Sequence, residues 1–142
     1  MSLKRVVITG VGVVTPFGNG LAALMKGIAE GRSAVQRMEG WEQYIGLHSL
    51  VAAPVTIQDE KRIPRQKRRS MGRMSIFAAQ AADEAITDAG IVLADENLWK
   101  IGCVIGSTMG SAKSINDTFE TMLPDKDLSR LNSTMFFQCM SH

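Results

Sequence analysis

An α/β architecture with parallel strands is what this sequence predicts, on three observations. Two short runs, Arg5-Val6-Val7-Ile8-Thr9 and Ile101-Gly102-Cys103-Val104-Ile105-Gly106, are nearly unbroken in apolar and β-branched residues. A sheet covered on both faces requires that pattern, rather than strict alternation. Between and after the runs lie segments with apolar residues at helical spacing. Each run also opens into a loop of small residues, so the order reads strand, helix, helix, strand, helix.

The elements follow in chain order. Gly10 and Gly12 extend the first run where a backbone turns tightly or approaches another closely. Thr15-Pro16-Phe17-Gly18-Asn19-Gly20 is a loop by its turn residues. Leu21, Leu24, Met25 and Ile28 then share a helical face, and Gly31 is placed to stop that helix. Ser33 to Pro64 carries a weaker signal, with a short strand expected within Leu47 to Ala53. The next helix is clear. Met74, Phe77, Ala78, Ala81, Ala85, Ile86 and Ala89 make one face, with Gln80, Asp83, Glu84, Thr87 and Asp88 on the other and Gly90 at the end. An apolar face made largely of alanine predicts close approach to a neighbour. After the second strand, Ser107-Thr108-Met109-Gly110-Ser111 is a loop. A third helix runs through Ile115, Phe119 and Met122 to Pro124, and Ser133 to His142 reads as an apolar segment that stops midway.

Composition narrows the function classes. The chain has 142 residues, 45% hydrophobic and 21% charged, which suits one folded domain. Two cysteines in this length do not make the disulfide framework of a small secreted protein, so Cys103 and Cys139 are expected to be reduced in a cytoplasmic chain. No apolar run approaches the roughly 18 residues of a membrane span. The Lys4-Arg5 start imitates a signal peptide, but Gly10 and Gly12 interrupt the run and no small-x-small cleavage site follows.

Candidate chemistry is sparse. Gly10-Val11-Gly12-Val13-Val14-Thr15 lacks the third small residue of a dinucleotide fingerprint, and the helix begins too late to meet a phosphate there, which favours tight turning. Cys103 is expected to be a small buried hydrophobe in its strand, and Cys139 to pack among Phe136, Phe137 and Met140. Neither forms a pair with His48 or His142, and no metal-ligand spacing exists, so neither metal nor cofactor is expected.

The strongest charge signal is a basic run. Lys61, Arg62, Arg65, Lys67, Arg68, Arg69 and Arg73 are seven of the 16 cations, leaving nine against 14 acids elsewhere. A patch of +7 therefore sits on a chain that is otherwise −5. Cations at the start of a helix oppose its dipole, which favours an anionic partner over a merely solvated face. An acidic protein surface fits this patch. Nucleic acid is a distant alternative, because the run has no aromatic residues for stacking.

Val6-Val7-Ile8-Thr9-Gly10-Val11-Gly12, Val14-Thr15-Pro16-Phe17-Gly18 and Gly31-Arg32-Ser33-Ala34-Val35 together resemble the opening of β-ketoacyl-acyl-carrier-protein synthases of the type II elongating class. Arg69-Ser70-Met71-Gly72-Arg73 resembles the basic start of that family's long helix, and Ala85-Ile86-Thr87-Asp88-Ala89-Gly90-Ile91 resembles its end. Ile105-Gly106-Ser107-Thr108-Met109-Gly110-Ser111 is similar to the strand and loop beside the acyl pocket. The resemblance extends over nearly all of the chain but only about the first third of such an enzyme. It implies a thiolase-like fold, with residues 1–142 as an N-terminal segment and the remainder absent.

The implied activity of the parent is decarboxylative Claisen condensation of an acyl thioester with malonyl-carrier, in fatty acid or polyketide biosynthesis. It uses a cysteine nucleophile and two histidines, an activated thiolate with donors for the developing oxyanion. All three are expected beyond His142, so no catalytic residue lies in this chain and the segment alone is expected to be inactive. By the same resemblance Met109 takes the position of the apolar side chain gating the acyl pocket, with ordinary packing as the alternative role. Arg65, Lys67, Arg68 and Arg69 fall in the basic patch for an acidic acyl carrier protein. A homodimer or related heterodimer is implied. Met25, Gly72 and Thr108 depart from the family's usual tryptophan, aspartate and glycine, which admits a secondary-metabolism branch or a non-catalytic chain-length partner subunit.

Overall fold

A computed structural model describes residues 4–140. Six helices dominate it: α1 (Leu21–Ala29), α2 (Arg65–Arg68), α3 (Arg73–Asp88), α4 (Asp95–Leu98), α5 (Ala112–Met122) and α6 (Ser133–Cys139). Four two-residue strands form two antiparallel ladders, β1 (Val14–Thr15) with β2 (Gly18–Asn19), and β3 (Gln36–Arg37) with β4 (Val51–Ala52).

The long helix α3 is the centre of the structure. Its Ile76 is buried, and the N-terminal segment lies along its alanine row. A Cβ at Gly10 would stand 2.2 Å from the Ala85 carbonyl oxygen, and one at Gly12 1.9 Å from that of Ala81. The glycines therefore serve close backbone approach, as the alanine face implies, and not a tight turn; helix backbone occupies the space a dinucleotide phosphate would need.

The polar row of α3 holds the segment that lies beside it. Asp88 accepts the Val11 N–H at 2.9 Å. Glu84 accepts the Val13 N–H with Oε2 and the Leu21 N–H with Oε1, both at 2.8 Å. Gln80 accepts from the Asn19 side-chain amide. The row recurs every four residues, so it runs parallel to the alanine stripe and satisfies the backbone donors of the segment lying there. Through Leu21, Glu84 also places negative charge at the start of α1, where exposed N–H groups favour it.

Helix α1 has the expected bounds, and Gly31 follows it at φ 61°. Its packed side differs from the expected one. Gly27 is buried, with the Phe17 ring filling the space beside it, whereas Leu21, Met25 and Ile28 are exposed. Gly27 outranks the larger residues because only it lets an aromatic ring approach the helix backbone.

Both expected buried strands also differ. Residues 5–9 and 101–106 enter no ladder among the described residues, and Val6, Ile8 and Val104 are 93%, 87% and 99% exposed. A strand is stabilised by a hydrogen-bonded neighbour, and the two runs do not supply one to each other. Cys103 is consequently exposed rather than buried. The strand expected within residues 47–53 is reduced to β4.

Helices α5 and α6 pack on one another. Asn132 caps α6 by accepting the Met135 N–H at 3.0 Å, the expected use of an Asn at that position. The Ser133–His142 stretch is thus a helix through Cys139; Ser141 and His142 lie outside the described residues.

Candidate functional site

The basic run folds into two short turns ahead of α3. Glu60–Arg62 forms a 3₁₀ turn, and Pro64 precedes α2, a position where a missing N–H costs nothing. This arrangement sorts the cations. Arg62 faces Asp83 at 3.6 Å. Arg68 turns inward to Glu60 at 3.5 Å, with its side chain only 22% exposed. The Arg73 guanidinium donates to the Val55 carbonyl and lies over the Phe77 ring. Arg65, Lys67 and Arg69 are exposed and form no ion pair among the described residues. Three of the four candidate carrier-binding cations are therefore free to meet an anion, while Arg68 is held within the protein.

Met109 stands in the loop ahead of α5 and is 65% exposed. The loop is tight: Ser107 Oγ accepts the Gly110 N–H at 2.9 Å, and Gly110 has φ 65°. Ser111 is buried, its hydroxyl 2.9 Å from that of Ser114. The C-terminal end of α6 joins this loop to the basic turn. Gln138 Nε2 donates to the Arg69 carbonyl at 3.2 Å.

A groove of about 1000 Å³ runs between the N-terminal segment, α3 and the residues before α2. Asp83, Glu84 and Asp88 line one side, and Arg62 and Lys67 the other. Met109 is not among its lining residues. Two of its acids are already engaged by backbone N–H groups, so the groove wall is in part the seam that holds the N-terminal segment.

The other candidate groups remain apart. Cys103 is exposed, while Cys139 is half-buried with Sγ 3.4 Å from Thr118 Oγ1. His48 lies in an exposed stretch of loop. Among the described residues no three His, Cys, Asp or Glu side chains converge as metal ligands, and no helix is long and apolar enough to cross a membrane. Sequence reasoning missed Gln80, Glu84 and Asp88 as positioning groups; their four-residue spacing beside the alanine row was the available signal.

Comparison with known proteins agrees with this geometry. Residues 3–141 match the family described as beta-ketoacyl synthase, N-terminal domain. The chain is 32% identical over 132 residues to 3-oxoacyl-[acyl-carrier-protein] synthase 2 of Synechocystis sp., covering 93% of this chain and 32% of that protein. Nodulation protein E of Rhizobium meliloti is 33% identical over 122 residues, covering 86% and 30%. Among solved structures, a beta-ketoacyl synthase from Burkholderia phymatum superposes with a TM-score of 0.80 at 38% identity, covering 97% of this chain and 34% of that one. The ishigamide ketosynthase/chain length factor superposes at 0.73 and 25% identity, covering 98% and 34%. The chain thus spans about a third of the length of these relatives. Sharing the ketosynthases' thiolase-like α/β fold in part, it belongs to the beta-ketoacyl synthase N-terminal domain family.

Proposed function

We propose that residues 1–142 are the N-terminal segment of a β-ketoacyl-acyl-carrier-protein synthase acting in fatty acid or polyketide biosynthesis. The observation that carries this reading is the superposition of nearly the whole chain on a ketoacyl synthase at 38% identity. The reaction of the parent is carbon–carbon bond formation between an enzyme-held acyl thioester and malonyl-carrier, with loss of carbon dioxide. The cysteine that holds the acyl group and the two histidines that assist lie outside this chain, so the segment alone is inactive.

This segment contributes two things to that reaction. Arg65, Lys67 and Arg69 form a surface for an acidic acyl carrier protein, because exposed unpaired cations attract an anionic partner and steer its approach. Arg68 is removed from that set by Glu60. Met109 contributes a flexible thioether to the wall of the acyl pocket once the remainder of the fold covers its loop. The parent is a cytoplasmic dimer, of two like subunits or of a catalytic and a related subunit.

The test has three parts. The coding DNA beyond the codon for His142 should continue into a frame with a cysteine at a helix start and two later histidines. The intact protein should release carbon dioxide from malonyl-carrier in the presence of acyl-carrier, while the 142-residue chain releases none. Reversing Arg65, Lys67 and Arg69 to glutamate should abolish carrier binding; unchanged binding would refute the surface. The chain-length partner is the second reading, favoured by the superposition on the ketosynthase/chain length factor. A continuing frame in which another residue replaces the cysteine would select it.

A further inference from the structure

The C-terminal end of α6 makes three contacts with segments outside its own helix. Gln138 Nε2 reaches the Arg69 carbonyl, which closes the basic turn after α2. A Cβ at Gly72 would be 2.6 Å from the Gln138 carbonyl oxygen and 2.7 Å from Ser111 Cβ. A Cβ at Gly110 would be 2.7 Å from the Cys139 carbonyl oxygen. The turn before α3, the loop before α5 and the end of α6 therefore meet closely, through the Gln138 and Cys139 carbonyls, the Ser111 side chain and the Gln138 amide.

We propose that Gln138 is a positioning residue, which ties the basic surface of Arg65, Lys67 and Arg69 to the placement of Met109. The inference rests on the carrier-surface and acyl-wall roles proposed above. Its physical basis is packing without slack. Gly72 and Ser111 are buried at the junction, and close packing there transmits a displacement rather than absorbing it. Arg69 itself belongs to the basic surface, and its carbonyl is the atom Gln138 holds. Met109 directly precedes Gly110, whose backbone rests on Cys139. A pull on the Arg69 turn by a bound anionic partner thus reaches Met109 through Gln138 and the two glycine contacts. Gln138 supplies the side chain in this link, so substitution there tests it.

The experiment uses the intact protein, of which residues 1–142 are the proposed N-terminal segment, carrying ¹³C-methyl methionine, with the Met109 signal assigned from Met109→Leu. In the first arm no partner is present. Gln138→Leu keeps the side-chain bulk but removes the donor, and it should shift the Met109 methyl resonance. Gln138→Lys restores a donor and should return the resonance toward its original position. Gly72→Ala, which drives a Cβ into the same junction, should shift it as well. Unchanged helical circular dichroism shows that each variant remains folded. A Met109 methyl that ignores both Gln138→Leu and Gly72→Ala would overturn the proposal, whatever the carrier does.

The second arm adds an acyl carrier protein. Carrier should shift the Met109 methyl in the unsubstituted chain, and Gln138→Leu should abolish that shift while the affinity stays unchanged. Carrier that binds without moving Met109 would overturn the coupling but leave the carrier surface standing. Carrier that does not bind at all refutes the surface instead, and the first arm then decides the junction by itself.

Discussion

Placing a methyl group on Gly12 puts the central contact of this structure to the test. The Cβ of Gly12→Ala would lie 1.9 Å from the Ala81 carbonyl oxygen, 2.7 Å from the Ala85 nitrogen and 2.9 Å from the Ala81 carbonyl carbon. Ordinary contact begins near 3.4 Å, so the segment must retreat from α3 by more than 1 Å. That retreat stretches the Val13 N–H to Glu84 bond and the Val11 N–H to Asp88 bond, both already at optimal length. Overpacking of this kind costs about 1–3 kcal/mol, and a weakened hydrogen bond to a charged acceptor adds about 1.5 kcal/mol. The expected total is about 2.5–4.5 kcal/mol, a large part of the stability of a small domain. Urea unfolding followed by circular dichroism measures the loss, and amide exchange at Val11 and Val13 locates it. Gly102→Ala is the control, because its Cβ would meet nothing within 4 Å. Ala81→Gly should not rescue Gly12→Ala, since the obstruction is a main-chain oxygen. Equal midpoints for Gly12→Ala and Gly102→Ala would refute the reasoning, and rescue by Ala81→Gly would show that the obstruction had been misidentified.

Three further outcomes are expected. Glu84→Ala, which deprives Val13 and Leu21 of their shared acceptor, should destabilise the chain by about 2 kcal/mol, because one lost partner is half-buried and the other can turn to water; Asp83→Ala, which breaks an exposed pair with Arg62, should cost under about 1 kcal/mol in the same urea assay. The Glu42 carboxyl is held below its ordinary value of 4.5, first by a hydrogen bond from its own backbone and then by Arg37, so its contribution is present above about pH 4.5 and is lost as the pH falls through the lowered value. Arg37→Ala should raise the Glu42 midpoint in an NMR titration only part of the way to 4.5, and a midpoint unmoved by Arg37→Ala would exclude any hold by the guanidinium. The exposed apolar runs around Val6, Ile8 and Val104 should bind a hydrophobic-surface dye; a sharply melting monomer that binds none would contradict their exposure.

The helices were the legible part of the fold, because helical periodicity is a local signal. Periodicity marked α1, α3 and α5, and Gly31 and Gly90 stopped their helices at positive φ. The alanine row on α3 rightly indicated close approach, which Gly10 and Gly12 complete. Roles that depend on distant partners were less legible. The four-residue spacing of Gln80, Glu84 and Asp88 beside the alanine row marked a possible seam, but it did not say that the donor to Glu84 would be the Val13 N–H, 71 residues away. The β-branched runs declared a preference for sheet burial, but pairing is a property of two segments, and neither run holds the other. In the candidate site, the basic run was visible as charge alone. That Arg68 would turn toward Glu60 while Arg65, Lys67 and Arg69 remained exposed depended on the 3₁₀ turn and Pro64, which set the direction each side chain takes.

The seam between the N-terminal segment and α3 also imposes an order on synthesis. Val11 leaves the ribosome well before its acceptor on Asp88, which is 77 residues later. At about 5–20 residues per second the apolar first run waits roughly 4–15 s for the helix that receives it. Loops of that length close in far less time than the chain takes to grow, so translation rather than diffusion sets the moment of docking. During that interval the nascent chain displays Val6, Val7 and Ile8 to whatever binds emerging hydrophobic segments. Slower codons ahead of α3 would lengthen the interval, and faster ones would shorten it, without altering a single contact in the finished structure.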